Sequence, residues 1–130
     1  MFCFLYLQKT VLDSLTSGDD CIEYTYDGAN VLAIKHMNAG FNCCPEKVSA
    51  DFVIAGDTIK ITEKEKSAQC DCCCLFDLDY SISNISPGKY FIKVSEPYAG
   101  EGVKLEFEID LRAQTSGCYC VQRDYYPWGM

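Results

Sequence analysis

The sequence predicts an all-β protein: a two-sheet antiparallel β-sandwich of about eight short strands, stapled by disulfides. Three observations carry this. Apolar and polar residues alternate with period two through most of the chain after residue 20. Turn residues punctuate that alternation at intervals of roughly ten positions, and only residues 2–16 hint at a helix. Finally, 10 cysteines among 130 residues approach the density of a disulfide scaffold.

The strands follow in order. "CIEYTY" places Ile22, Tyr24 and Tyr26 on one face, and Asp27, Gly28 and Asn30 supply a turn. "NVLAIKHM" is the second strand, with "NAGFNCCPEK" as a loop in which Pro45 marks a corner. "VSADFVIAGDTIKITEKEK" reads as a hairpin turning at Ala55-Gly56-Asp57, with Ile59 and Ile61 inward. In "LFDLDYSIS", Phe76, Leu78, Tyr80 and Ile82 alternate with Asp77, Asp79, Ser81 and Ser83, a strand buried on one face. "NISPG" is a turn in which Gly88 is free to take positive φ. Tyr90, Ile92 and Val94, then Val103, Leu105, Phe107, Ile109 and Leu111, form the next inward rows, and "CYCVQ" is the last strand.

The length suits one domain, placed at 21–130. Residues 1–20 form a separate N-terminal segment. Its apolar run, Phe2 to Leu7, is far too short to span a bilayer and has no basic residues before it. It reads either as a packed first element or as the remnant of an export signal followed by the polar tether "DSLTSGDD". The net charge of -8 argues against nucleic acid, whose binding rests on clustered Lys and Arg.

The cysteines divide the functional readings. Carried back along its strand, the alternation puts Cys70, Cys72 and Cys74 in phase with Phe76 and turns Cys73 outward with the aspartates. Cys118 and Cys120 also share a face. The disulfide reading takes Cys43, Cys44, Cys70, Cys72, Cys73, Cys74, Cys118 and Cys120 as candidates. It joins the late pair to the central cluster and leaves out Cys3 and Cys21. An oxidised protein of this kind belongs outside the cytoplasm: secreted, periplasmic or at the cell surface. It needs no cofactor. The metal reading gathers Cys70, Cys72, Cys74, Cys118 and Cys120 as thiolates for Zn or Cu in the cytoplasm, although strand residues two apart lie ~6.6 Å from each other, wide for one ion.

Any Ser/His or Cys/His mechanism must use His36, the only histidine, with Cys43 or Cys44 as nucleophile. The competing reading is a half-buried strand histidine, because His36 shares a face with Leu32 and Ile34. Asp77 with Asp79, and Glu63 with Glu65, read as solvent-facing pairs. Arg123, Tyr125, Tyr126 and Trp128 in "RDYYPWGM" are residue types favoured at binding hot spots, and make a candidate patch for a protein or glycan ligand. The oligomeric state stays open.

Two resemblances add to this. "NISPGKYFIKV" is similar to a turn-and-strand feature of immunoglobulin-like and prealbumin-like sandwiches. The combination "FNCCPEKV", "CDCCCLFDLDYSI" and "GCYCVQRDYYPW" resembles small cysteine-rich bacterial β-proteins that are secreted or lipid-anchored. That resemblance implies an envelope location and carries no functional residues. The resulting expectation is a non-enzymatic binding or structural module. The alternatives are the thiolate metal binder and an enzyme built on His36.

Overall fold

The computed structural model describes residues 18–66, 70–99 and 104–123. They form eight strands: β1 (Asp19–Tyr26), β2 (Leu32–Asn42), β3 (Lys47–Ala55), β4 (Thr58–Lys66), β5 (Cys73–Ile82), β6 (Lys89–Ser95), β7 (Leu105–Asp110) and β8 (Ser116–Gln122). β1 begins at Asp19, so the last residues of the expected tether are already in the sheet. Among the described residues no helix is long and apolar enough to cross a membrane.

The strands make two four-stranded sheets, ordered β5-β2-β1-β8 and β3-β4-β6-β7. The first is antiparallel throughout. The second departs from the antiparallel expectation, because β4 and β6 run parallel. The reason is topological. β5, which lies between them in sequence, belongs to the other sheet, so β6 returns beside β4 in the same direction.

The inward rows of both sheets share one core. Ile22, Tyr24, Tyr26, Leu32 and Ile34 from the first sheet meet Ile59, Ile61, Ile92, Val94, Leu105, Phe107 and Ile109 from the second. Burial of these side chains is the main driving force for folding. The open sides of the two layers are bridged by aromatic pairs. Phe52 of β3 meets Tyr80 of β5 with ring centroids 5.6 Å apart, and Phe107 of β7 stacks on Tyr119 of β8 at 4.9 Å.

Asp27 caps the β1–β2 turn by accepting the N–H groups of Ala29, Asn30 and Val31. Gly56, at φ 62, allows the tight β3–β4 turn. After β5 the left-handed position falls on Asn84, at φ 64, and not on Gly88. β2 is longer than expected. It absorbs "NAGFN" by a bulge between His36 and Ala39, where Asn38 takes φ 62.

Gly117 pairs with Tyr24, and a Cβ there would meet the Tyr24 hydroxyl at 2.9 Å. Gly117→Ala is therefore expected to lower stability by about 1–3 kcal/mol through overpacking, read as a shifted urea midpoint.

A buried charge cluster as the candidate functional site

Five strands contribute one ionisable residue each to the interior. Asp20 precedes Ile22 and Tyr24 on the inward face of β1. His36 ends the row Leu32-Ile34 on β2, and Glu63 ends the row Ile59-Ile61 on β4. Glu96 continues Ile92-Val94 just beyond β6, and Arg123 continues Tyr119-Val121 just beyond β8. The strands are in register, so the five side chains converge at one end of the shared core.

His36 is fully buried. Its Nε2 lies 2.6 Å from Asp20 Oδ1, and its Nδ1 2.6 Å from Glu63 Oε2. Carboxylates only accept, so both ring nitrogens donate and the ring is an imidazolium. Burial pulls the His36 pKa down, but the bonds to Asp20 and Glu63 and the charge of Glu63 and Glu96 outweigh it and hold it at about 10. Arg123 donates to Asp20 Oδ2 at 2.8 Å and to Glu96 Oε2 at 2.9 Å. For Asp20, burial raises the pKa, but its bonds to His36, Glu96 and Arg123 leave it below the usual carboxylate range. Glu96 moves the other way. Burial and its carboxyl neighbours push it up to about 9. With Glu96 protonated, two cations face two carboxylates. Tyr80 donates to Glu63 Oε2 at 3.0 Å, and its burial beside Glu63 raises the phenol.

This arrangement revises several expectations. His36 is sealed, not half-buried, and its two nitrogens are taken by carboxylates; Cys43 and Cys44 are both in disulfides. Neither Cys43 nor Cys44 is therefore available as a thiol nucleophile beside His36. Glu63 is buried, contrary to its solvent-facing reading, and Glu65 is partly buried. Glu65 accepts the backbone N–H of Asn42 and the Tyr98 hydroxyl, and the Tyr98 pKa rises to about 12, mainly through that bond. Asp77 and Asp79 do face solvent. Arg123, expected in an exposed patch, is 95% buried as an ion-pair partner because it stays in phase with the inward face of β8. Tyr125, Tyr126 and Trp128 lie outside the described residues.

The cysteines form a second constellation. Cys21 pairs with Cys120 directly across β1 and β8, Cys43 with Cys74, and Cys44 with Cys70. Cys118 is disulfide-bonded too. Cys72 and Cys73 are free. The late cysteines thus do not join the central cluster, because β8 and β5 occupy opposite edges of their sheet. Cys21, expected to be left out, has Cys120 opposite it in register; Cys3 lies outside the described residues. The thiolate set Cys70, Cys72, Cys74, Cys118 and Cys120 is ruled out as a metal site, since four of the five are bonded.

Asn42 organises the Cys44–Cys70 corner. Its Oδ1 accepts the N–H groups of Cys44 and Cys70, and its Nδ2 donates to the Cys70 carbonyl at 2.5 Å. The burial expected of Cys72 and Cys73 is also reversed: Cys73 is buried and Cys72 exposed, although Cys73 keeps its phase opposite to Cys74 as the strand partner of Asn42. β5 starts only at Cys73, so alternation does not extend back through Cys72. Burial, with Glu65 and Cys72 nearby, raises the Cys73 pKa and keeps it a thiol.

Clefts open on the surface among the described residues, and two bear on the site. One, of about 270 Å³, is bordered by Ser95, Glu96, Lys104, Leu105 and Arg123. The other, of about 310 Å³, lies between the edge strands β3 and β5 and is bordered by Val48, Phe52, Leu78 and Tyr80. The chain matches no protein-family model, no curated protein and no solved structure.

Proposed function

We propose that this protein is a non-enzymatic, disulfide-stabilised binding or structural module, a β-sandwich of immunoglobulin-like or prealbumin-like type, acting at the cell envelope or outside the cell on a protein or glycan ligand. One observation carries the reading: every described cysteine except Cys72 and Cys73 is in a disulfide. Reducing compartments do not sustain such a set. The sealing of His36 supports a role without acid–base catalysis, since a general base must reach its substrate. The cleft between β3 and β5, where Phe52, Tyr80, Val48 and Leu78 line the wall beside Asp77 and Asp79, supports a ligand on that side. The resemblance to secreted, cysteine-rich bacterial β-proteins agrees with this placement.

The test is a thiol titration of protein recovered from its own cells, with thiols blocked at lysis and no reductant. In denaturant, two thiols, those of Cys72 and Cys73, are expected to react. In the native state Cys72 labels first, and Cys73 follows only on unfolding. Reaction of most of the 10 cysteines would overturn the reading.

A further inference from the structure

We propose that His36, Asp20 and Glu96 form a binding site for one divalent transition-metal ion, with Zn²⁺ as the type that suits one imidazole nitrogen and two carboxylate oxygens. This site is separate from the cysteines and goes beyond the stapled-module reading.

Arg123 holds the outer oxygens of both carboxyl groups, Asp20 Oδ2 and Glu96 Oε2. That leaves their inner oxygens facing His36 Nε2, with Asp20 Oδ1 at 2.6 Å and Glu96 Oε1 at 3.4 Å. All three donor atoms lie within 4.8 Å of one another. In a tetrahedral site with bonds of ~2.0–2.2 Å, neighbouring donors stand ~3.3 Å apart. Glu96 already meets that spacing. Asp20 has to withdraw by roughly 0.7 Å to meet the same spacing.

Two further features point to a ligand. Glu96 Oε1 sits on a side chain only 2% exposed, and once Glu96 is ionised its nearest donor is His36 Nε2 at 3.4 Å, too poorly aligned to make a hydrogen bond. A buried acceptor left in this state is costly, and a cation among the three donors satisfies it. Glu63, on the far side of the ring, takes Nδ1 of His36 at 2.6 Å. A carboxylate there fixes the tautomer that leaves Nε2 free to bind a metal, and Tyr80 steadies that carboxylate in turn. Metal binding releases two protons to solvent, one from His36 Nε2 and one from Glu96, and the formal charges then close: three carboxylates are matched by Arg123 and a dication, with the imidazole neutral. The cleft bordered by Glu96 and Arg123 reaches this end of the core, but Lys60, Lys93 and Lys104 also line it and repel free dications. Loading is therefore expected during folding.

The test uses the full chain with Cys72→Ser and Cys73→Ser, which removes the free thiols as competing ligands and keeps the disulfides. The protein is unfolded with chelator, cleared of it, and refolded with Zn²⁺. One equivalent of zinc is expected to survive desalting and to raise the thermal midpoint. Refolding with Co²⁺ is expected to give visible ligand-field bands without a thiolate charge-transfer band. Glu96→Gln in the same background keeps an oxygen for Arg123 and is expected to cut metal occupancy at least tenfold. Absence of stoichiometric zinc, or equal occupancy in Glu96→Gln, would overturn the proposal. Should that variant fail to fold, the cobalt spectrum of the parent decides: no bands, or a thiolate band, refutes the site.

Discussion

Replacing His36 with alanine is expected to lower the stability of the metal-free protein by about 3–5 kcal/mol, a large share of the roughly 5–15 kcal/mol that holds a domain of this size. The loss comes less from the ring's own contacts than from what remains. Glu63 keeps Tyr80, and Asp20 keeps Arg123, on side chains that are fully buried. A buried carboxylate stripped of its cation bears most of the desolvation penalty alone. Urea unfolding at neutral pH with chelator present measures the change. A loss below about 1 kcal/mol would mean that the cluster does not form in solution. His36→Leu combined with Glu63→Gln is expected to recover part of the loss, because the orphaned charge disappears while Asp20 retains Arg123.

The second large effect is a fall in stability as pH rises above neutrality. His36 keeps its proton in the folded state up to about 10, whereas the unfolded chain releases it near 6.5. Glu96 keeps its proton up to about 9, against 4.5 when unfolded. Between about pH 6.5 and 9 the native state therefore binds more protons than the unfolded state at both positions, and stability declines with pH. Each group contributes up to about 1.4 kcal/mol per pH unit. Asp20 acts in the opposite sense: its lowered pKa adds stability above 3.8 that is lost as the pH falls through its folded value. The metal-free protein is thus expected to be most stable in mildly acid solution, below the unfolded pKa of His36. Thermal midpoints between pH 5 and 9 check this. A midpoint that is flat or rises from pH 7 to 9 would contradict the protonated cluster. Tyr80, which also faces these groups, has its phenol raised by burial beside Glu63 and does not change charge in this window.

Most of the strands were legible because one face is buried and the period of two survives in the sequence. Ile22-Tyr24-Tyr26 and Leu105-Phe107-Ile109 are clear examples. β3, with Val53 and Ile54 exposed, was found through its hairpin turn instead. Sheet membership was not legible, since alternation says which residues face inward and nothing about which strand lies alongside. The parallel β4–β6 pairing and the Cys21–Cys120 bond were missed for that reason. The charge cluster was legible in principle. Asp20, His36, Glu63, Glu96 and Arg123 each continue an inward apolar row in phase, but Glu63 was read as a solvated face and Arg123 as an exposed patch. A single charge at the end of a row suggests a strand leaving the core. Only five rows ending at the same level reveal that the charges meet, and that level is a property of register. Cys72 failed for a different reason: periodicity holds only within a strand, and β5 starts after it; Cys73 keeps its phase but is buried all the same.

The pairing of β1 with β8 also sets an order of assembly. The Cys21–Cys120 bridge joins residues 99 positions apart, and Asp20 and Arg123 are drawn from the same two strands. During synthesis β1 therefore waits for nearly the whole described chain before its second neighbour exists. Until then Asp20 has no Arg123, and β1 presents an open edge able to pair with another chain. Such non-local closure is slow. The Cys21–Cys120 bridge can close only once β8 lies beside β1.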